Sequence, residues 1–130
     1  MTRPARAASR FGAAQGVGPV YPVGGFPVFH FVYPVRPEQL WYPSEWSGNK
    51  ILWVARTYRG PALVRGRQLD GPNEVRFDLE RVPVKEMYLG LKTRERPSTT
   101  RVRAPGCYAW QVDGTSFSRV IVFRAEVQPD

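Results

Sequence analysis

The stretch PGCYAWQVDGTSFSRVIVF, residues 105–123, decides the fold. Two apolar runs flank the pair Asp113-Gly114, which is typical of hairpin turns because glycine tolerates the positive φ that such turns need. Thr115 and Ser116 lengthen the loop beyond two residues and favour a bulge. We therefore predict a β-hairpin here rather than a catalytic site.

Catalysis is the alternative, because the same stretch holds the chain's single cysteine and several hydroxyl side chains. A serine or cysteine nucleophile requires a base, and His30 is the only histidine in the sequence. We expect His30 to be packed or partly exposed, and we interpret Cys107 as a small buried hydrophobe. We predict that the protein is not an enzyme.

The composition favours an all-β fold for one domain. The chain has 130 residues, of which 13 are proline and 12 are glycine, and this disfavours long helices. Alternating runs such as EVRFDLE, residues 74–80, predict six to eight short strands. Pro105-Gly106 followed by Tyr108 is similar to the entry into the penultimate strand of immunoglobulin-like domains. We predict an antiparallel, immunoglobulin-like β-sandwich over residues 47–130.

Residues 1–46 differ from the rest of the chain and predict an extended N-terminal arm. They hold seven of the 13 prolines and nine of the 17 aromatic residues. Repeated proline excludes a helix and a central strand, so we expect at most an edge strand over residues 28–33. An apolar arm has to be covered, either by its own domain or by a neighbouring subunit. The predicted partner-binding residues of the arm are Tyr21, Phe26, Phe29, Phe31, Tyr33, Trp41 and Tyr42.

The net charge of +8 and the isoelectric point near 10.3 favour acidic partners. Arg65 and Arg67 fall on one face of a predicted strand, and Arg76 joins them if neighbouring strands pair. Such a face could bind an anionic ligand; the alternative is a solvated face whose charge is balanced by acidic neighbours. The arginines form no long basic run, which disfavours a nucleic-acid partner.

The segment LWYPSEW, residues 40–46, has two interpretations. Trp41, Tyr42 and Trp46 could form a platform for sugar stacking or a contact site for a protein. Alternatively, Trp46 fills the core with Trp53, while Trp41 and Tyr42 cover the edge of a sheet. The residues leave both interpretations open.

Several classes of site are excluded by counts of residues. One histidine and one cysteine allow neither a multi-histidine metal centre nor an internal disulfide, and we predict no cofactor. No apolar run is long enough to span a bilayer, so we predict no transmembrane segment. The first residues, MTRPARAASRFGAAQG, lack the apolar central region of a signal peptide.

Three blocks of the chain resemble a small uncharacterised bacterial β-sandwich family of secreted proteins and lipoproteins. These blocks are WSGNKILWVAR, GPALVRGRQLDGPNEVRF and RPSTTRVRAPGCYAWQVDGTSFSRVIVFRA, within residues 46–125. The resemblance implies an immunoglobulin-like module of the cell envelope and carries no activity with it.

These observations lead to two hypotheses about function. In the first, the chain is a structural or binding subunit, held through residues 1–46 by a protein partner or by a second copy of itself in a larger assembly. In the second, it is a secreted domain that binds carbohydrate or an acidic polymer.

Overall fold

The structure, a computed structural model, describes residues 4–5, 14–15, 18–24, 28–90 and 95–129. All regular elements in these ranges are strands, so the prediction of an all-β protein is confirmed. The strands are β1 (Pro4–Ala5), β2 (Ala14–Gln15), β3 (Val20–Val23), β4 (Val28–Phe31), β5 (Ser47–Ala55), β6 (Pro61–Gln68), β7 (Glu74–Phe77), β8 (Glu86–Gly90), β9 (Glu95–Val102), β10 (Gly106–Gly114) and β11 (Ser118–Val127). In the part of the chain described, no helix has the length and apolar character to traverse a membrane.

The predicted hairpin is β10–β11. Its antiparallel register runs from Gly106 opposite Ala125 to Asp113 opposite Ser118, as the Asp-Gly pair predicts. The backbone N–H of Gly114 donates to the carbonyl of Phe117 at 2.9 Å and closes the turn. The turn therefore explains this polar stretch without catalytic chemistry.

The strands form one curled sheet in the order β1-β2-β3-β5-β9-β7-β6-β10-β11-β4. Strand β8 is off this path and pairs with residues 61–65 of β6. Strand β7 pairs with both β6 and β9 and so connects the two halves of the sheet. The last strand of the path, β4, comes back to β5, where Asn49 Nδ2 donates to the carbonyl of His30 at 2.9 Å. Because β4 pairs in parallel with β11, the sheet is mixed, and the predicted purely antiparallel pairing is wrong at this edge.

Aromatic side chains fill the space that the curled sheet encloses. Trp110 lies between Trp53, with ring centroids 5.2 Å apart, and Phe123, at 4.1 Å. Tyr108 and Phe29 also contact Phe123, at 5.6 and 5.0 Å. All five of these rings are at most 1% exposed. Aromatic side chains bury a large apolar area each, so this stack dominates the hydrophobic stabilisation of the domain.

Part of the predicted arm belongs to this body. Val20–Val23 pairs with β5, and the edge strand expected over residues 28–33 is observed as Val28–Phe31. Phe29 and Phe31 are each 1% exposed because their strand turns them into the core beside β11. The division at residue 46 therefore does not separate an arm from a body within residues 18–46.

Tyr108 forms a local hydrogen bond where the chain enters β10. Its hydroxyl donates to the carbonyl of Ala104 at 2.7 Å, four residues earlier. Burial raises the pKa of Tyr108 to about 12, so the phenol stays neutral and remains a donor at neutral pH. The bond pins the chain as it enters β10.

Asp113 gives the hairpin a testable dependence on pH. Hydrogen bonds, first from the Ser118 hydroxyl and then from the Gln111 amide, hold the pKa of Asp113 below its usual value. A carboxylate with a lowered pKa stabilises the fold above its unfolded pKa, about 4, and loses that contribution as the pH falls. Asp113→Asn should lower the free energy of unfolding by about 1 kcal/mol at neutral pH in urea titrations. The difference from wild type should shrink as the pH falls below about 4. A difference that is constant with pH would contradict this account. Glu38→Gln is an exposed control.

Candidate ligand-binding cleft

The candidate site lies on the outer face of β7 and β9. Val75 and Phe77 of β7 are fully buried in the core, so Arg76 between them points outward. Arg101 lies directly opposite Arg76 in the register of the two strands and therefore shares this outer face. The tryptophan-rich segment before β5 crosses the same face and covers it.

Arg101 is the buried centre of this region, with 0% of its surface exposed. Its Nη2 and Nε atoms donate to the carbonyl of Trp46 at 2.7 and 3.2 Å. Its Nη1 atom donates to the carbonyls of Asp78 and Glu80 at 2.8 and 2.9 Å. Burial lowers the pKa of Arg101 to about 10, so the guanidinium stays charged at neutral pH. One side chain thus joins the start of β5 to the loop after β7.

Two further guanidinium groups pack on the indole of Trp46. The Cζ atoms of Arg103 and Arg76 lie 4.8 and 5.0 Å from the centroid of its ring. Trp46 is only 4% exposed, so these cation–π contacts occupy the ring. Trp41 is half-buried, and the Cζ of Arg101 lies 5.4 Å from its ring centroid. Trp46 is therefore not free to stack on a sugar, whereas Trp41 keeps part of its surface exposed.

The arginines line a cleft of about 370 Å³, called here the arginine cleft. Its lining consists of Pro43, Ser44, Glu45, Trp46, Arg76, Arg81, Val82 and Arg103. Arg103 pairs with Glu45 at 2.8 Å and Arg76 with Glu74 at 3.0 Å. Within residues 18–24, 28–90 and 95–129, the Arg81 guanidinium has no ion-pair partner, and the Nε atom of Arg76 is buried without a hydrogen-bond partner. The cleft therefore carries one unbalanced positive charge, that of Arg81.

Arg65 and Arg67 are brought together as predicted, but Arg76 does not join them. They line a separate cleft of about 490 Å³ on the face of β6 and β10. Glu74 lies at the edge of that cleft and binds Arg76, which lines the arginine cleft instead. Arg65 lies 3.5 Å from the Asp113 carboxylate, so part of the predicted basic face is balanced internally.

The aromatic residues predicted to bind a partner fall into different environments. Phe29 and Phe31 are in the core of their own chain and cannot contact a partner in this fold, which corrects their assignment. Tyr21 packs on the small apolar cluster of Val23 and Val54. Tyr33 and Tyr42 are 43% and 49% exposed. Trp41 packs on Arg101 of the interior strand β9 rather than on a sheet edge, and Trp46 lies outside the core cluster that contains Trp53. Phe26 lies outside the described residues.

The two remaining candidate residues, Cys107 and His30, both lie at the surface. Cys107 is partly exposed rather than buried, because alternation along β10 directs its neighbour Tyr108 inward and Cys107 outward. His30 is exposed and lies 3.7 Å from Glu126 Oε1. Over the described ranges, no three histidine, cysteine or acidic residues come close enough to hold a metal ion.

Sequence reasoning missed Arg81, Arg101 and Arg103. Alternation along STTRV, residues 98–102, could have identified Arg101 as an outward residue opposite β7. Nothing local shows that the segment before β5 covers it, because that contact joins residues 55 positions apart.

No family model and no curated protein matches this sequence. Among solved structures, the chain is similar to a crystal structure from Bacillus anthracis described as a "Putative Lipoprotein". The TM-score is 0.56 at 13% identity, over 88% of this chain and 78% of that chain. The two proteins share a fold. At this identity the likeness supports the β architecture that the sequence blocks suggest, and it transfers no function.

The Arg101 network has a measurable effect on stability. Arg101→Met should leave the carbonyls of Trp46, Asp78 and Glu80 without their donor. We expect the free energy of unfolding to fall by about 3 kcal/mol in chemical denaturation. The reason is that these buried carbonyls would then be bonded neither to Arg101 nor to water. Arg96→Met, at an exposed position of the same strand, should change it by less than about 0.5 kcal/mol. Equal effects of the two substitutions would contradict the network.

Proposed function

We propose that the protein is a non-catalytic binding module whose arginine cleft holds an anionic ligand, such as a phosphate or carboxylate group of an acidic polymer. The observation that carries this proposal is the Arg81 guanidinium, which has no partner among the described residues and lines a cleft with Arg76 and Arg103. Guanidinium groups bind phosphate and carboxylate in a planar two-bond geometry. The net charge of +8 adds long-range attraction for such ligands.

The chemistry of the lining supports binding rather than catalysis. The cleft contains neither the histidine nor the cysteine of the chain. Its single hydroxyl, that of Ser44, donates to the carbonyl of Arg81 and accepts a hydrogen bond from the N–H of Trp46. No lining residue can therefore activate that hydroxyl as a nucleophile, since no base contacts it.

The proposal places the module outside the cytoplasm, in the cell envelope. It draws on the shared fold with a protein described as a lipoprotein. Acidic polymers are abundant ligands at cell surfaces, and a basic module would be attracted to them over a distance of about 10 Å at moderate salt.

Binding of soluble polyphosphate tests the proposal. We expect the wild-type protein to bind polyphosphate in isothermal titration calorimetry, with an affinity that falls as salt is raised. Arg81→Ser should weaken binding by about tenfold, because it removes one charge-assisted contact. Arg67→Ser is the matched control, since it removes the same charge from the face of β6. Equal loss from both variants would show a general charge effect and would contradict a site in the arginine cleft.

A second candidate function, a subunit of a larger assembly, is favoured by the exposure of the segment that precedes Trp46. Leu40 is 75% exposed, and Tyr42 and Tyr33 are 49% and 43% exposed. Exposed aromatic and aliphatic groups of this kind are typical of protein contact sites. We propose that this segment, and not the buried Phe29 and Phe31, is what a partner or second copy would contact.

Native mass separates the two candidates. If the segment mediates assembly, light scattering of the gently isolated protein should give a mass well above the 14.8 kDa of one chain. Leu40→Ser combined with Tyr42→Ser should return the mass to that of one chain, because it removes the exposed apolar groups. The exposed pair Tyr88→Ser and Val120→Ser is the control. A wild-type monomer would contradict assembly and leave the cleft as the functional site.

A further inference from the structure

The loop between β7 and β8 presents aliphatic side chains to solvent. Leu79 is 52% exposed, Val82 is 69% exposed and Val84 is 40% exposed. They belong to the segment DLERVPV, residues 78–84, called here the aliphatic loop. Several aliphatic side chains exposed on one short loop are characteristic of a surface that is covered when the protein acts.

The fold holds this loop in place from two directions. Phe77 and Val84 exchange backbone hydrogen bonds of 2.9 and 3.0 Å, which close the base of the loop. From below, the buried Arg101 binds the carbonyls of Asp78 and Glu80. Asp78 has a φ of 73°, a left-handed conformation that these contacts maintain. The outward direction of Leu79 and Val82 is therefore built into the structure.

The aliphatic loop is continuous with the arginine cleft. Arg81 lies between Leu79 and Val82 in the sequence, and both Arg81 and Val82 line the cleft with Arg76 and Arg103. The loop also carries the acidic Glu80, which is exposed and is a charged neighbour of the buried Arg101. The surface thus combines projecting aliphatic side chains with an adjacent group of guanidinium donors.

We propose that this surface docks on an anionic lipid bilayer, with Leu79 and Val82 in the interfacial layer and a lipid phosphate in the arginine cleft. The inference rests on the proposed function of the cleft and names its ligand class. Charge complementarity supports a bilayer, because anionic head groups attract basic residues and the layer beneath them accepts aliphatic side chains. An acidic protein partner is less well matched, because the aliphatic loop has none of the tryptophan or tyrosine that dominates protein contact sites.

Vesicle binding tests the proposal with the full chain. The protein should sediment with vesicles of phosphatidylcholine and phosphatidylglycerol in equal parts, and far less with phosphatidylcholine alone. Leu79→Ser combined with Val82→Ser should weaken vesicle binding by about tenfold while leaving polyphosphate binding unchanged. Tyr88→Ser combined with Val120→Ser removes two equally exposed side chains elsewhere and should change neither. Arg81→Ser should weaken both, because its guanidinium serves the anion in either case.

The outcomes separate the two levels of the proposal. Retained polyphosphate binding without vesicle binding overturns the bilayer inference and leaves the cleft as an anion site. If the wild-type protein binds neither polyphosphate nor vesicles, the proposed function itself is overturned. Equal vesicle binding by the Leu79/Val82 variant and wild type would show attraction by charge alone and would also overturn the inference.

A measurement on the wild-type protein supports the test if the double variant does not fold. Salt does not weaken the insertion of aliphatic side chains into the bilayer, but it screens the attraction between charges. Part of the binding to anionic vesicles should therefore persist at high salt. Complete release of the protein from vesicles at a salt concentration where its fold is intact would overturn the proposal.

Discussion

The hydrogen bonds of the buried Arg101 are the interaction on which the outer half of the structure depends. They join the carbonyl before β5 to the carbonyls of the loop after β7, across a strand that belongs to neither. A buried guanidinium is tolerated only when its donors are satisfied. The positions of Trp46, the arginine cleft and the aliphatic loop are therefore linked through one side chain.

The interior depends on a different constraint: enough aromatic side chains must fill the space inside a small curled sheet. Trp53, Trp110 and Phe123 come from the central strands, but Phe29 and Phe31 come from the proline-rich segment that precedes them. That segment reaches the core as an edge strand parallel to β11. Its Pro22 lies in β3, which pairs with both β2 and β5, so the expectation that proline allows only an edge strand is wrong there. The proline-rich segment, whose composition is typical of a linker, thus contributes core residues to the domain.

The two basic surfaces differ because acidic neighbours balance them differently. Arg65 lies beside the Asp113 carboxylate, whereas Arg81 has no such neighbour among the described residues. In a count of charges along the sequence, each of these arginines contributes the same positive charge. Their capacity to bind an anion differs, because a guanidinium already paired with a carboxylate offers less to a ligand. Arg67 in the other cleft also has no ion-pair partner among the described residues, so pairing alone does not single out the arginine cleft. In the proposal, the aliphatic loop beside Arg81 is what distinguishes it.

The sequence by itself determined the local structure: the Asp113-Gly114 hairpin, the alternating strands and the edge strand within residues 28–33. Each depends on residues a few positions apart, where backbone preference and alternation act directly. Only the tertiary structure decided that Phe29 and Phe31 are core residues, that Arg76 parts from Arg65 and Arg67, and that Arg101 is buried under Trp46. The Arg101–Trp46 contact joins residues 55 positions apart, and the pairing of β4 with β11 joins residues still more distant. The register of distant strands sets these contacts, and no local pattern encodes them.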